Sequence, residues 1–161
     1  MKLASIPLPR KLGERLKERA EEAGYLPEEL GVEFVLKGLN EELDPEDMVE
    51  HYRALSERYL KEGEELLKEG DLAQSSEKLW GAAASAVKMA AAKRGLRLEK
   101  HGSLWDFVDK LASEREDEDL LKFFHSANSL HRNFYEAQMT RRAVEVAGRD
   151  VRKLIEKLSS D

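Results

Sequence analysis

The chain of 161 residues contains no cysteine, which excludes disulfide bonds, cysteine zinc sites and thiol nucleophiles. It also lacks any run of about 18 apolar residues that could span a bilayer, and its N-terminus lacks the apolar core of a signal peptide. Acidic residues outnumber basic ones, 33 against 27. The net charge of −6 excludes a protein that coats nucleic acid through a generally basic surface. Glutamine is scarce while Glu, Lys and Arg are abundant, which resembles the composition of thermophile proteins. We expect a soluble, cytoplasmic protein without membrane contact.

Proline is also scarce, and none follows Pro45. Because proline breaks helices, the rest of the chain is free to form long ones, and apolar residues there recur at steps of three, four and seven. The predicted fold class is mainly α, an antiparallel bundle of about five helices with short connections. We expect these helices at 45–69, 71–94, from 102, at 117–136 and from 140. Trp80 and Trp105 lie on apolar stripes and are expected in the core.

The segment before residue 44 has a different pattern. Ala4, Ile6 and Leu8 recur at every second position, as in a half-buried strand, and two amphipathic helices follow. Strand, helix, turn and helix over residues 2–40 resemble the ribbon-helix-helix module, and residues 6–12 (IPLPRKL) carry most of the likeness. In that family two chains pair their strands into one ribbon. We therefore predict an oligomerisation segment at 1–43, a bundle at 44–161, and a homodimer or dimer of dimers through residues 2–40.

A DNA-binding regulator is an alternative function that the ribbon-helix-helix likeness implies. The outward positions of the expected strand are Leu3, Ser5 and Pro7, none of which is a basic or amide side chain of the kind used for base readout. Glu28 and Glu29 open the second helix, where carboxylates disfavour a DNA phosphate. Dimerisation is therefore the favoured role of this segment, and DNA binding stays open as the alternative.

A row of polar side chains follows one face of the fourth bundle helix. Steps of three and four residues align Asn128, Arg132 and Tyr135. Imidazole, amide, guanidinium and phenol groups together suit a phosphate or a nucleotide, and a basic loop at 93–101 adds two further groups. The predicted ligand-binding residues are Asn128, His131, Arg132, Asn133, Tyr135, Arg97 and His101. The alternative is a structural seam in which these groups satisfy one another and Arg132 pairs with Glu136.

Three segments together resemble the archaeal PaREP family: 70–84 (GDLAQSSEKLWGAAA), 103–107 (SLWDF) and 127–136 (ANSLHRNFYE). The resemblance covers residues 45–160 and implies a helical bundle of the HEPN superfamily. Many HEPN proteins are toxin ribonucleases or nucleotide-binding partners of nucleotidyltransferases. The resemblance therefore implies a nucleotide, an RNA or a nucleotidyltransferase-like protein as the partner.

HEPN ribonucleases use an arginine and a histidine separated by four to six residues. Arg132-Asn133 is similar to the opening of this motif, but Ala137, Gln138 and Met139 occupy the positions of the histidine. The group that would shuttle a proton is missing there, so we expect a non-catalytic binding or assembly module. The alternative is a divergent, metal-independent endoribonuclease that uses His131 and Arg132. The remaining histidines have no metal-ligand spacing, so neither a metal nor another cofactor is expected.

Overall fold

The computed structural model of the protein describes residues 3–23, 25–98 and 101–160, without the side chain of His101. Within these residues the chain is all-α, with seven helices and no strand. In chain order the helices are α1 (Arg10–Ala23), α2 (Pro27–Leu39), α3 (Pro45–Glu69), α4 (Leu72–Lys93), α5 (His101–Arg115), α6 (Asp119–Glu136) and α7 (Arg141–Ser159). No helix in the described ranges is long and apolar enough to cross a membrane.

Local signals in the sequence set the ends of the bundle helices. Gly70 ends α3 with a φ of 86°, a left-handed conformation that favours glycine. The Asp71 side chain accepts a hydrogen bond from the backbone N–H of Gln74 at 3.1 Å, and the Thr140 hydroxyl accepts one from Ala143 at 3.1 Å. These caps satisfy N–H groups that have no partner inside the helix. Gly70 confirms the predicted end of α3. The two side-chain caps confirm, within a residue, the predicted starts of α4 and α7.

The central helix of the bundle is α4, which packs against α3, α5, α6 and α7. Every residue from 79 to 92 is buried, and small side chains dominate this stretch, so the neighbouring helices approach closely. A Cβ placed on Gly63 of α3 would stand 2.9 Å from the Leu79 side chain. Short connections at 70–71, 116–118 and 137–140 make consecutive helices neighbours in space.

The two tryptophans differ in burial. Trp80 is only 5% exposed, which confirms that it is a core residue. Trp105 is partly buried against the core and meets the Phe124 ring edge-on, with 4.5 Å between the ring centroids. Its indole therefore covers the core from the side and is less enclosed than the sequence predicted.

The N-terminal segment departs from the prediction. Residues 3–9 form no strand, so the predicted strand-helix-helix module over residues 2–40 is wrong. The helix count also differs, because the described residues form seven helices and not about five, with α1 and α2 in the N-terminal segment. A strand needs a neighbouring strand to bond its backbone groups, and no other part of the described chain supplies one. Pro7 and Pro9 also lack the N–H groups that such a ladder requires.

The two N-terminal helices meet the rest of the molecule in different ways. Within the described residues, the backbone of α1 lies close to α2 and to no other helix, and α1 buries Ala20 alone. The second helix is anchored, because Leu26 just before it packs in the main core. Its Glu29 carboxylate contacts the Lys88 ammonium of α4 through both oxygens, at 2.6 and 2.7 Å, and both side chains are almost completely buried. This ion pair links α2 to the C-terminal half of α4.

Candidate functional site

The predicted ligand-binding residues on α6 differ in how far they reach the surface. The Arg132 side chain is 69% exposed and Tyr135 is 58% exposed. Asn128 and His131 are half-buried, and Asn133 is buried. The helix therefore brings five predicted residues onto one element, and two of them are open to solvent.

The His131 ring lies between two other aromatic side chains. Its centroid is 4.9 Å from the Trp80 ring of α4 and 5.6 Å from the Tyr135 ring one turn along α6. Its Nδ1 atom lies 3.5 Å from a carboxylate oxygen of Glu77, which allows an ion pair when the imidazole is protonated. Sequence reasoning missed Glu77 and Trp80 as partners of this histidine, because the contact joins two helices that are distant in the chain.

The environment of Tyr135 favours its neutral form. Partial burial raises the pKa of Tyr135 above its ordinary value, and the carboxylates of Glu77 and Glu21 raise this pKa further. This shift favours the protonated phenol, which can donate a hydrogen bond. Since Glu21 belongs to α1, the C-terminal end of α1 lies within electrostatic range of this part of α6.

Arg132 pairs with an acidic residue on its own helix. Its guanidinium lies 3.7 Å from a carboxylate oxygen of Glu136, one turn further along α6. Both side chains are exposed, and a pair of this spacing stabilises a helix by only about 0.3–0.5 kcal/mol. The salt bridge between Arg132 and Glu136, which we expected if this row of polar residues is only a structural seam, is therefore present. A phosphate could nevertheless displace Glu136 at little cost.

The Asn133 amide is occupied by the fold. Its Nδ2 atom donates to the Ser76 hydroxyl of α4 at 2.9 Å, and its Oδ1 atom accepts from the backbone N–H of Met139 at 2.8 Å. Asn133 thus ties α6 to α4 and closes the connection to α7. Both ends of this buried amide have partners within the protein, so its role here is structural.

Arg97 lies in another part of the molecule. Its guanidinium pairs with Glu33 of α2. Glu33 lies one helical turn after Glu29, the residue that contacts Lys88. Lys88 is eleven residues from Glu77, which is about 16 Å along α4 at the helical rise per residue. The structure therefore does not bring Arg97 beside His131, whose partner is Glu77.

His101 is the first residue of α5, and its side chain lies outside the described residues. Within the described part of the chain, no group of three or more His, Asp or Glu side chains could hold a metal ion. An open groove of about 460 Å³ lies between α6 and α7. It is lined by Ser126, Ser129, Met139 and their neighbours and not by the predicted residues.

The main cluster of buried polar groups surrounds Glu29 and was not predicted. Besides Lys88, this carboxylate accepts hydrogen bonds from the Tyr52 hydroxyl and the backbone N–H of Leu26, both at 3.3 Å. Burial raises the pKa of Tyr52 above its ordinary value, and Glu29 raises it further. Burial lowers the pKa of His51, and the charge of Glu29 opposes this effect. The carboxylate is fully satisfied by these partners, so the cluster is a structural joint between α2, α3 and α4.

Comparison with known proteins bears on the bundle. The model of the Archaeal PaREP1/PaREP8 family matches residues 51–155. The crystal structure of a protein from Sulfolobus solfataricus is similar to this chain at 30% sequence identity and a TM-score of 0.59, covering 65% of this chain and 92% of that one. None of the curated proteins compared with the sequence matches it. The family match spans α4, α5 and α6 and includes all five predicted residues of α6.

Proposed function

The chain belongs to the archaeal PaREP1/PaREP8 family, and from this premise we propose that it is a non-catalytic binding or assembly module that self-associates through residues 2–40. In this proposal the helices α3 to α7 form a bundle of the HEPN type. The N-terminal segment joins one copy of the chain to another, in a homodimer or a dimer of dimers.

The distribution of exposed apolar side chains carries this proposal. Among the described residues ten large hydrophobic side chains are exposed, and seven of them belong to the N-terminal segment: Leu3, Ile6, Leu8, Leu12, Phe34, Val35 and Leu39. Apolar surface concentrated in one segment is typical of an interaction site. A second copy of the chain would cover this surface on both partners at once, because a two-fold interface uses the same patch twice.

The poor packing of α1 supports the same conclusion. This helix has 14 residues and buries one of them. Isolated helices of this length are marginal in water, because most helical stability in proteins comes from tertiary packing. A partner that packs on α1 would supply the packing that the rest of the chain does not provide.

Light scattering of the full-length chain tests the proposal. We expect a mass of at least twice that of one chain, and the double variant Ile6→Ser, Phe34→Ser should shift the protein towards the monomer. The matched control is Leu96→Ser, Val146→Ser, which removes two exposed apolar side chains elsewhere and should leave the mass unchanged. A wild-type chain that is monomeric at high concentration would overturn the proposal.

Point variants are preferable to deletion of the N-terminal segment. Deleting residues 1–43 would remove Glu29 and leave the buried Lys88 ammonium without its carboxylate. A buried charge without its partner destabilises a protein strongly. Loss of the oligomer after such a deletion could therefore result from unfolding of the bundle.

The non-catalytic part of the proposal rests on the residues around Arg132. Ala137, Gln138 and Met139 occupy the positions of the HEPN ribonuclease histidine. His131 precedes the arginine and contacts Trp80 and Glu77 within the bundle. We therefore expect no cleavage of single-stranded RNA in the absence of metal. Cleavage that disappears in Arg132→Ala would contradict the proposal and favour the endoribonuclease.

A second candidate function, binding of an RNA or a nucleotide at α6, is favoured by the exposure of Arg132 and Tyr135 together. A guanidinium for phosphate and an aromatic ring on which a base can stack are the groups that single-stranded RNA requires. We expect Arg132→Ala to abolish binding of a short uridine oligonucleotide or ATP, with little change in thermal stability. The control Arg149→Ala removes another exposed arginine and should bind like the wild type. Equal binding by all three proteins would contradict this candidate.

A further inference from the structure

Four charged residues form one row along α1: Lys11, Arg15, Glu18 and Glu22. Their spacing of four, three and four residues places them on a single helical face. All four are exposed, and none of them forms an ion pair within the described residues. We call these four residues the charged row. From the N-terminal to the C-terminal end of α1, their charges are positive, positive, negative and negative.

This order is unfavourable for α1 on its own. Lys11 and Arg15 are like charges four residues apart, and so are Glu18 and Glu22, which destabilises a helix. The macrodipole favours acidic groups in the first turn and basic groups in the last turn, but α1 has no acidic residue in the first and no basic residue in the last. Only the middle step of the row, from Arg15 to Glu18, places opposite charges three residues apart. Lys11 and Glu22, at its two ends, have only a like charge as their neighbour in the row.

We propose that the charged row is the contact face for α1 of a second copy of the chain, which runs antiparallel across a two-fold axis. In this arrangement Lys11 faces Glu22 of the partner subunit, and Arg15 faces Glu18 of the partner subunit. The two-fold symmetry forms each contact twice. The two helix dipoles point in opposite directions, which favours the antiparallel arrangement. A parallel arrangement would instead bring like charges together, so the row selects one direction.

This inference rests on the proposed self-association and specifies its geometry. Exposed ion pairs contribute little affinity individually, whereas complementary charges determine orientation and exclude wrong partners. The affinity would come from the apolar side chains next to the row. Leu8 lies two residues before α1, Leu12 lies within its first turn, and both are exposed in the single chain.

Charge reversal in the full-length chain tests this pairing by light scattering and sedimentation. The variant Lys11→Glu, Arg15→Glu makes the row entirely acidic, and Glu18→Lys, Glu22→Lys makes it entirely basic. We expect the dimer dissociation constant of each to rise by at least about tenfold, since every facing pair becomes repulsive. The fourfold variant restores opposite charges in the antiparallel register and should dimerise again, as should an equimolar mixture of the two double variants.

The matched control is Arg10→Glu, Lys17→Glu, which makes the same change of charge on another face of α1 and should leave dimerisation unchanged. A wild-type dimer that persists in both double variants would overturn the antiparallel pairing and leave the proposed self-association standing. Double variants that dissociate without rescue by the fourfold variant would also overturn the pairing. A monomeric wild-type chain would overturn the proposed function itself.

Discussion

At the scale of single residues, the buried pair of Glu29 and Lys88 dominates the junction between α2 and the bundle. Replacing one partner leaves the other charge buried and unpaired, so Lys88→Met should lower the free energy of unfolding by about 3–5 kcal/mol. The double variant Glu29→Met, Lys88→Met should recover much of this loss. The control Arg141→Met breaks an exposed pair with Glu145 and should cost less than about 1 kcal/mol. Chemical denaturation measures all three, and equal effects of the buried and exposed changes would contradict this role.

His51 lies beside the same carboxylate, and burial lowers its pKa below 6.5 despite the opposing charge of Glu29. As the pH falls through 6.5, the unfolded chain takes up a proton on this histidine before the folded chain does. The unfolded state then binds more protons, so the free energy of unfolding decreases as the pH falls towards the folded pKa. Above pH 6.5 this contribution is constant. We expect His51→Gln to flatten the dependence of stability on pH below pH 6.5.

The control for this histidine is His125→Gln, which changes an exposed side chain on α6. Urea denaturation at a series of pH values gives the slope for each protein. A slope that is the same in His51→Gln and the wild type would show that His51 is protonated equally in the folded and unfolded states.

At the scale of helices, α3 and α4 approach so closely that glycine is required between them. Alanine is favoured over glycine inside a helix by about 1 kcal/mol, yet a Cβ on Gly63 would meet the Leu79 side chain at 2.9 Å and its backbone N at 3.2 Å. We expect Gly63→Ala to lower the melting temperature, because the steric cost exceeds the gain in propensity. Gly13 of α1 has open space around it. Gly13→Ala should therefore raise helix content by circular dichroism without lowering the melting temperature, and a lower one would contradict this account.

The ends of several helices could be predicted from the sequence, whereas contacts between distant parts of the chain could not. The end of α3 and the starts of α4 and α7 follow from Gly70, Asp71 and Thr140, because caps act within three or four residues of themselves. The expected strand failed because its backbone needs a partner outside the segment. The contact between Glu29 and Lys88 joins residues 59 positions apart, and no local pattern carries such information.

The candidate site follows the same division. Helical periodicity was sufficient to align Asn128, Arg132 and Tyr135 on α6. It could not show that the side chain of Asn133, the residue after Arg132, points into the bundle and donates a hydrogen bond to Ser76. Arg97 was grouped with α6 on charge alone, although its partner is Glu33 of α2. Which helix covers a polar group depends on tertiary packing, and periodicity describes only the helix itself.

At the scale of the whole molecule, stability should be distributed very unevenly between α4 and α1. Helix α4 is buried over residues 79–92 and packs closely against α3, α5, α6 and α7, whereas α1 buries Ala20 alone. Amide hydrogens in well-packed elements exchange only through global unfolding, and those in poorly packed elements exchange through local opening. We therefore expect the slowest amide exchange in α4 and the fastest helical exchange in α1 at low protein concentration.

Self-association adds a concentration dependence to this pattern, because a partner that binds the folded helix stabilises it by mass action. Raising the protein concentration should slow exchange in α1, and to a smaller extent in α2, while the rates in α4 change little. The charge-reversed variant Lys11→Glu, Arg15→Glu should lose this dependence and exchange like the dilute wild type. Hydrogen exchange followed by mass spectrometry at several concentrations measures each helix separately. If α1 exchanged at the same rate at every concentration while the mass of the particle doubled, the two copies would have to meet through another surface of the molecule.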